Sequence, residues 1–480
     1  MLLSLLLVVA EAAQPSLADL AERRQWDAIA ASLADAEVDA AQPDGMTALH
    51  WATRHGNAGT VSKLLDAGAA ADVRTEYGIT PLAIACEAGR VGLVDALLAA
   101  GADARNAIPG EQTMLMLAAR TGAADVVARL LAAGAEVNAT EVSDQTALMW
   151  AAAEGHDEVV AALLGAGAAV DARSKNDLSA LVFAARHGSL GCCRLLLDAG
   201  ADVNQTVRPP STYGRNPRAR MAPLLFAVES AHYETALELV RRGADPNDQR
   251  SGYAPLHALS FVRRADKGDG VSGDPEPRGS GQVTPLRFVR ELVKLGADVD
   301  RRLAHGRGGR AILNRKGATP LLLAASTADL PLMQTLVELG ADPTAANAVG
   351  STPLLAASGI GVTSLVDEPP GSEAECIAAI DWLLAHGADL HAIDDNGETA
   401  MHGAAYRNYP GLVRHLAAIG MRRDVWDAKN RHGTDPMDIA RGNRPGAFKP
   451  SPETAAAIEE VRRTASPPSA GGGDPADPID

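Results

Sequence analysis

The chain has 480 residues, a net charge of −16, and only 3% aromatic residues. That length suits two or three ordinary domains or one long array, and the charge sets the molecule as a whole against nucleic acid and anionic membranes. So few large rings argue against a thick globular core and for thin layers that Ala and Leu can fill.

In chain order, the first feature is the apolar run Leu2 to Ala10, followed by Ala10-Glu11-Ala12. The run is too short to span a bilayer, and the Ala-x-Ala triplet fits signal-peptidase cleavage. A signal peptide is therefore expected over residues 1–12, although no Lys or Arg precedes the run. The expected location is secreted or periplasmic, with the cytoplasm as the alternative. No other stretch approaches a membrane span. Residues 13–43 read as an N-terminal capping repeat, in which Leu17 to Leu33 supplies a helix pair with Glu22, Arg23 and Arg24 on its outer side.

From residue 44 a motif recurs. Thr47-Ala48-Leu49, Thr80-Pro81-Leu82, Thr113-Met114-Leu115, Thr146-Ala147-Leu148 and Ser179-Ala180-Leu181 follow one another at steps of 33 residues. The series resumes at Ala222, Ala254, Thr319, Thr352 and Thr399, and ends in a degenerate copy at Asp435-Pro436-Met437. A Gly-Ala-Asp signature recurs at Gly101, Gly200, Gly243, Gly296, Gly340 and Gly387. The spacing has a chemical reading. Thr caps a first helix and Pro sits where its missing N–H costs nothing. A mid-repeat Gly closes that helix in the left-handed conformation. Paired Val and Leu residues, such as Val126-Val127 and Leu130-Leu131, form the buried side of a second helix, and Gly-Ala-Asp ends it.

Asp44-Gly45-Met46-Thr47-Ala48-Leu49-His50-Trp51-Ala52, Asn396-Gly397-Glu398-Thr399-Ala400-Met401-His402 and Gly200-Ala201-Asp202-Val203-Asn204 resemble the ankyrin consensus. The resemblance runs from about Ser16 to Arg441, and the plain, Ala-rich copies look like those of bacterial ankyrin proteins. It implies an all-α solenoid of about 11–12 helix-turn-helix repeats joined by β-hairpin loops. Repeats 1–5 occupy residues 44–204 and repeats 6–11 residues 222–442. It also implies that His50, His257 and His402 tie hairpin to helix; several copies carry Ala83, Met116, Met149, Val182, Leu225 or Leu322 there instead.

Insertions break the metre. Residues 205–221 and 301–316 lie in hairpins and should share one edge of the stack, while 261–283 and 361–374 lie between the helices of a copy. The hairpin insertions are basic and free of acids, carrying Arg208, Arg215, Arg218 and Arg220 in one and Arg301, Arg302, Arg307, Arg310, Arg315 and Lys316 in the other. They suggest a basic lip for an acidic partner segment; the competing reading is solvated filler. Residues 443–464 read as a linker and a lone amphipathic capping helix, Pro452 to Thr464, with Ile458 and Val461 inward. Residues 465–480 read as a disordered tail.

No catalytic constellation appears: there is no G-x-S-x-G, no phosphate loop and no H-E-x-x-H. Cys86, Cys192, Cys193 and Cys376 have no metal or disulfide spacing and read as buried apolar groups. No catalytic residue, cofactor or metal is expected. The expected function is a non-enzymatic scaffold that binds a partner protein, nucleic acid being disfavoured. The family pattern implies recognition at variable positions of the first helices and hairpins, here Arg54, His55, Tyr77, Glu87, Arg120, Glu154, Arg186, His187, Tyr406 and Arg407. Arg208, Arg215, Arg218, Arg220, Arg307 and Arg310 join them from the insertions. Two alternatives stand beside this: a small-molecule or enzymatic site under the long insertions, which converging buried ionisable groups would support, and a purely structural spacer.

Overall fold

The computed structural model describes residues 15–211, 218–264, 277–306, 313–361, 371–443 and 450–464. The signal peptide expected over 1–12 and the tail expected over 465–480 lie outside these. The chain divides into two compact units, residues 1–202 and 203–480.

In the first unit six helix pairs follow one another. They are α1 (Leu17–Glu22) with α2 (Trp26–Ser32), α3 (Ala48–His55) with α4 (Ala58–Asp66), and α5 (Pro81–Glu87) with α6 (Val91–Ala99). Then come α7 (Met114–Arg120) with α8 (Ala124–Ala132), α9 (Ala147–Glu154) with α10 (Asp157–Gly165), and α11 (Ala180–His187) with α12 (Leu190–Asp198). A two-residue antiparallel ladder, β1 (Ala107–Ile108) with β2 (Gln112–Thr113), stands between α6 and α7.

The second unit continues in the same way. Its pairs are α13 (Pro223–Glu229) with α14 (Tyr233–Arg241), α15 (Pro255–Arg263) with α16 (Pro285–Lys294), and α17 (Pro320–Ser326) with α18 (Leu330–Glu338). These are followed by α19 (Pro353–Ser358) with α20 (Glu373–Ala385) and α21 (Ala400–Arg407) with α22 (Pro410–Ala418). A short α23 (Arg423–Trp426) precedes the last pair, α24 (Pro436–Ala440) with α25 (Pro452–Thr464). The protein is an all-α repeat solenoid.

The caps act as the motif predicts. Thr47, Thr80, Thr113, Thr146 and Ser179 each accept a backbone N–H three residues on. Gly56, Gly155 and Gly188 close their helices with φ of +76°, +80° and +75°. Four copies depart from the pattern. Arg24, Ala231, Ala328 and Asn408 take the same left-handed turn with φ of +60°, +60°, +51° and +58°, where a Cβ crowds the following carbonyl.

Burial accounts for cohesion but not for register between layers, because apolar contact has no direction. Polar side chains supply the register. Asp39 accepts the Ala70 N–H (3.1 Å), and Asp72 accepts that of Asp103 (3.0 Å). Asn138 accepts the Ala169 N–H (2.8 Å) and donates to the Gly167 carbonyl (3.3 Å). In the second unit Asn204 and Asn247 repeat this bridge to Asp245 with Gly243 and to Asp298 with Gly296, at 2.8–3.0 Å. The signature that ends one second helix is thus gripped by the previous layer. The histidines add a second tie, His50 Nε2 to the Ile79 carbonyl (3.0 Å), His257 to Ala318 (3.2 Å) and His402 to Thr434 (3.4 Å).

Two expectations need correction. The helix from Pro452 to Thr464 is not a lone cap: it packs on α24 and α22 as the second helix of a twelfth pair, burying Ala457, Ile458 and Val461. Its first helix, α24, has only five residues, which is why the motif there is degenerate. Phe261 also does not begin an insertion, because α15 runs on to Arg263. Both hairpin insertions start from the same short closure, Val207 with Met221 and Leu303 with Ala318, at backbone distances of 3.1 and 3.0 Å.

Two outcomes follow from these features. Replacing Ala231 by Gly should stabilise the second unit by up to about 1 kcal/mol, measured by urea unfolding, because the left-handed penalty exceeds the extra chain entropy. Burial holds His257 down to about 4 from the usual 6.5. Its contribution is therefore present above about 6.5 and lost as the pH falls through about 4. Thermal unfolding of His257→Gln should show a shallower acid decline than the wild type between those values.

Candidate functional site

In the first unit one step of the first helices is only half used for stacking. Trp51, Ile84, Trp150 and Phe183 occupy equivalent positions of α3, α5, α9 and α11 and remain partly exposed. Their neighbours Leu49, Ala52, Leu148 and Ala151 are buried completely or nearly so. Leu117, at the same step of α7, is buried. This apolar ladder was missed among the candidate residues, although its 33-residue register stands in the sequence.

The candidates of this unit gather around the ladder. Arg54 lies 5.7 Å over the Trp51 ring and Arg120 lies 5.9 Å over Trp150. Arg120 also pairs with Glu87 on the neighbouring first helix at 2.9 Å, so two candidates engage each other. His55 stacks on Trp51 at 5.7 Å and meets the edge of Trp26 at 6.0 Å. Burial first, then Arg24, holds it below the usual histidine range, so this side chain helps to seat the first helix pair. Glu154, Arg186 and His187 are exposed, and Tyr77 stands 71% exposed in its hairpin.

In the second unit the two basic insertions meet. Arg218 lies 5.4 Å and Arg315 lies 5.5 Å from the ring of Tyr253, which belongs to the hairpin between them. Arg315 donates to the Tyr253 hydroxyl, and Arg218 pairs with Glu229 at the end of α13. Arg208, Arg220 and Lys316 are exposed. The lip is therefore partly spent on holding itself together. Arg215, Arg307 and Arg310 lie outside the described residues.

Tyr406 and Arg407 are not surface recognition residues. They are 4% and 6% exposed. Tyr406 donates to Glu398 Oε1 at 3.0 Å, and Arg407 donates to the carbonyls of Ser326 (2.8 Å) and Gly371 (3.2 Å). The reason is local: α21 carries Gly403 where α3 carries Trp51, and a Cβ there would come within 2.4 Å of Ser358 Oγ. The neighbouring layers close in, and the end of α21 is covered.

Ionisable groups do converge at the roots of the inter-helix insertions. Arg263 grips Asp329 through two bonds of 2.7 and 3.0 Å. Arg264 meets Glu375 at 2.9 Å and, with the Ser372 N–H, pulls that carboxyl down to about 2. The Tyr409 hydroxyl donates to the Gly371 carbonyl at 2.8 Å. The two ion pairs neutralise their own charges and, with the Tyr409 bond, fasten the roots of the insertions. Among the described residues no cluster of His, Cys, Asp and Glu could hold a metal ion, and no helix is long and apolar enough to cross a membrane.

Family models agree with this architecture. One for ankyrin repeats in three copies matches residues 19–108, 115–207 and 170–250, one for a single ankyrin repeat matches 316–348, and one for many copies matches 372–416. Ankyrin repeat and SAM domain-containing protein 6 of Rattus norvegicus is 33% identical over 169 residues, 35% of this chain and 15% of that protein. Protein phosphatase 1 regulatory subunit 27 of Mus musculus is 41% identical over 79 residues, 16% of this chain and 47% of that one. The matches thus span less than half the length of these relatives. Among solved structures, the human ASB11 ankyrin repeat domain is 23% identical with a TM-score of 0.43, over 55% of this chain and 100% of that one. With its matched segments covering more than half of its length, the chain belongs to the ankyrin-repeat family.

Proposed function

We propose that this protein is a non-enzymatic scaffold that binds a partner protein on the first-helix face of its N-terminal unit. The observation that carries the reading is the ladder of Trp51, Ile84, Trp150 and Phe183. It leaves large apolar side chains partly in water beside helix positions that are fully buried. An array needs only small residues to stack, so this area is surplus to its own folding, and Trp and Arg are favoured anchors of interfaces. Arg54, Arg186, Glu87 and Glu154 rim the ladder and supply polar contacts. The similarity to a phosphatase regulatory subunit points the same way.

The basic hairpins of the second unit form the other half of the proposal. Arg208, Arg220 and Lys316 are exposed beside the Arg218–Tyr253–Arg315 stack and would receive an acidic segment of the partner. The apolar run Leu2 to Ala10 with Ala10-Glu11-Ala12 supports export of the protein, so the partner is sought in the secreted or periplasmic fraction.

The test is capture from that fraction and from lysate with three baits: wild type, Trp51→Ala/Trp150→Ala/Phe183→Ala, and Arg208→Ser/Arg220→Ser/Lys316→Ser. Circular dichroism confirms that all three are folded. A partner that loses at least about tenfold in retention on the ladder variant supports the reading. Loss on the hairpin variant, steeper at low salt, supports the acidic segment. A partner retained equally by all three baits removes both surfaces from consideration.

A further inference from the structure

The hairpins near the C-terminal end carry an unusual buried acid. Glu398 closes the hairpin before α21 and is 7% exposed. Its Oε1 accepts two hydrogen bonds, from the Tyr406 hydroxyl and from Asn430 Nδ2, both at 3.0 Å. Its Oε2 is buried with no hydrogen-bond partner among the described residues. Among the described residues no cation pairs with it. The neighbouring Asp394 is an acid as well, and its oxygens are held by the Ser351 hydroxyl (2.8 Å) and by the backbone N–H groups of Asn396 and Glu398 (2.9 and 3.0 Å).

The contacts of Glu398 join three layers. Tyr406 belongs to α21, and Asn430 belongs to the next hairpin. Asn430 in turn shapes that hairpin by accepting from the backbone of His432 (3.0 Å) and Thr434 (3.2 Å). Through Ser351 and Asp394 the chain of bonds reaches back to the hairpin before α19. The other ionisable groups around this joint are engaged or exposed. Asp427 and Asp435 are held by Arg462 of α25. Arg407 binds carbonyl oxygens, and Lys429 and Arg431, on either side of Asn430, are exposed. His402, on α21, is buried between Thr399 and the Thr434 carbonyl.

We propose that Glu398 is a proton-dependent fastener of the last helix pair. As the neutral acid it joins α21 to the hairpin of residues 427–435; as the carboxylate it leaves a buried charge without a cation and loosens that joint. A lone carboxylate in such a site is costly, and donors to one oxygen leave the other uncompensated. α24 and α25 pack back on α21 and α22, so a cost at the Glu398 joint is felt directly by this pair.

Burial, reinforced by Asp394, raises Glu398 from the usual 4.5 to about 7. Its contribution to the joint is therefore complete below about 4.5 and lost as the pH rises through about 7. His402 titrates in the opposite sense: burial lowers it from 6.5 to about 4, so its contribution is lost as the pH falls. The two effects offset each other in the wild type, and the test must isolate Glu398.

The experiment is native-state hydrogen exchange on the full chain from pH 5 to pH 8, corrected for intrinsic rates, with wild type and Glu398→Gln compared at each pH. The amide keeps an oxygen for Tyr406 and Asn430 and cannot ionise. The protection of residues 430–461 in the variant relative to wild type should grow by about tenfold to a hundredfold across the range. A ratio that stays constant overturns the proposal. Should the variant fail to fold, the carboxyl ¹³C titration of Glu398 in the wild type, assigned with Glu398→Asp, decides. A midpoint near 7 supports the fastener, and a midpoint near 4.5 overturns it.

Discussion

Everything in this protein depends on the fact that a layer one helix pair thick cannot bury its own two faces. Each pair offers Leu and Val from its second helix and small Ala-rich surface from its first, and both must be covered by the next pair. The gain from that burial is large in sum, but it does not choose a register, because Ala and Leu surfaces can slide over one another. The choice falls to a row of side chains at one position in six of the layers. Asp39, Asp72, Asn138, Asn204, Asn247 and Asp300 each reach the backbone at the end of the following second helix. Hairpins reinforce it through backbone bonds from tip to tip, such as Glu76 to Asp44 and Lys175 to Ser143.

Where the metre is unbroken, these ties leave the first helices with a position that stacking does not consume. The first unit fills it with Trp51, Ile84, Trp150 and Phe183, and rims it with charge. In the second unit the same position holds Phe226, Ala258, Leu323, Ala356, Gly403 and Ile439, and all of them are buried. The difference has a cause. The second unit carries the insertions, and their roots have to be fixed against neighbouring layers. Arg263, Arg264, Arg407 and Tyr409 are used for that. Charge that would serve recognition elsewhere is neutralised within the fold here.

The basic hairpins show the same economy in a milder form. Tyr253 gathers one arginine from each insertion, and Glu229 takes the charge of Arg218. A stacked guanidinium loses rotamer freedom but keeps its edge available, so the lip is ordered at its root while Arg208, Arg220 and Lys316 stay in water. Opposed titrations at Glu398 and His402 place a further adjustment where α24 and α25 join α21 and α22.

By itself the sequence determined the repeat, its caps, its tying histidines and the places where the metre breaks. These are local matters, decided by a few residues at fixed spacing, and Thr47, Gly56 and His50 behave as their positions require. Which charged residues remain for a partner was settled only by tertiary structure. Arg54 and Arg186 stay in solvent, whereas Tyr406, equivalent to them by motif position, and Arg407 beside it are buried because Gly403 and the root at Gly371 let neighbouring layers close over them. The twelfth pair was hidden for the same reason, since α25 is recognised as a second helix only by its packing on α22 and α24. Burial and pairing depend on what adjacent layers bring to a point in space, and a repeat motif describes only what each layer brings to itself.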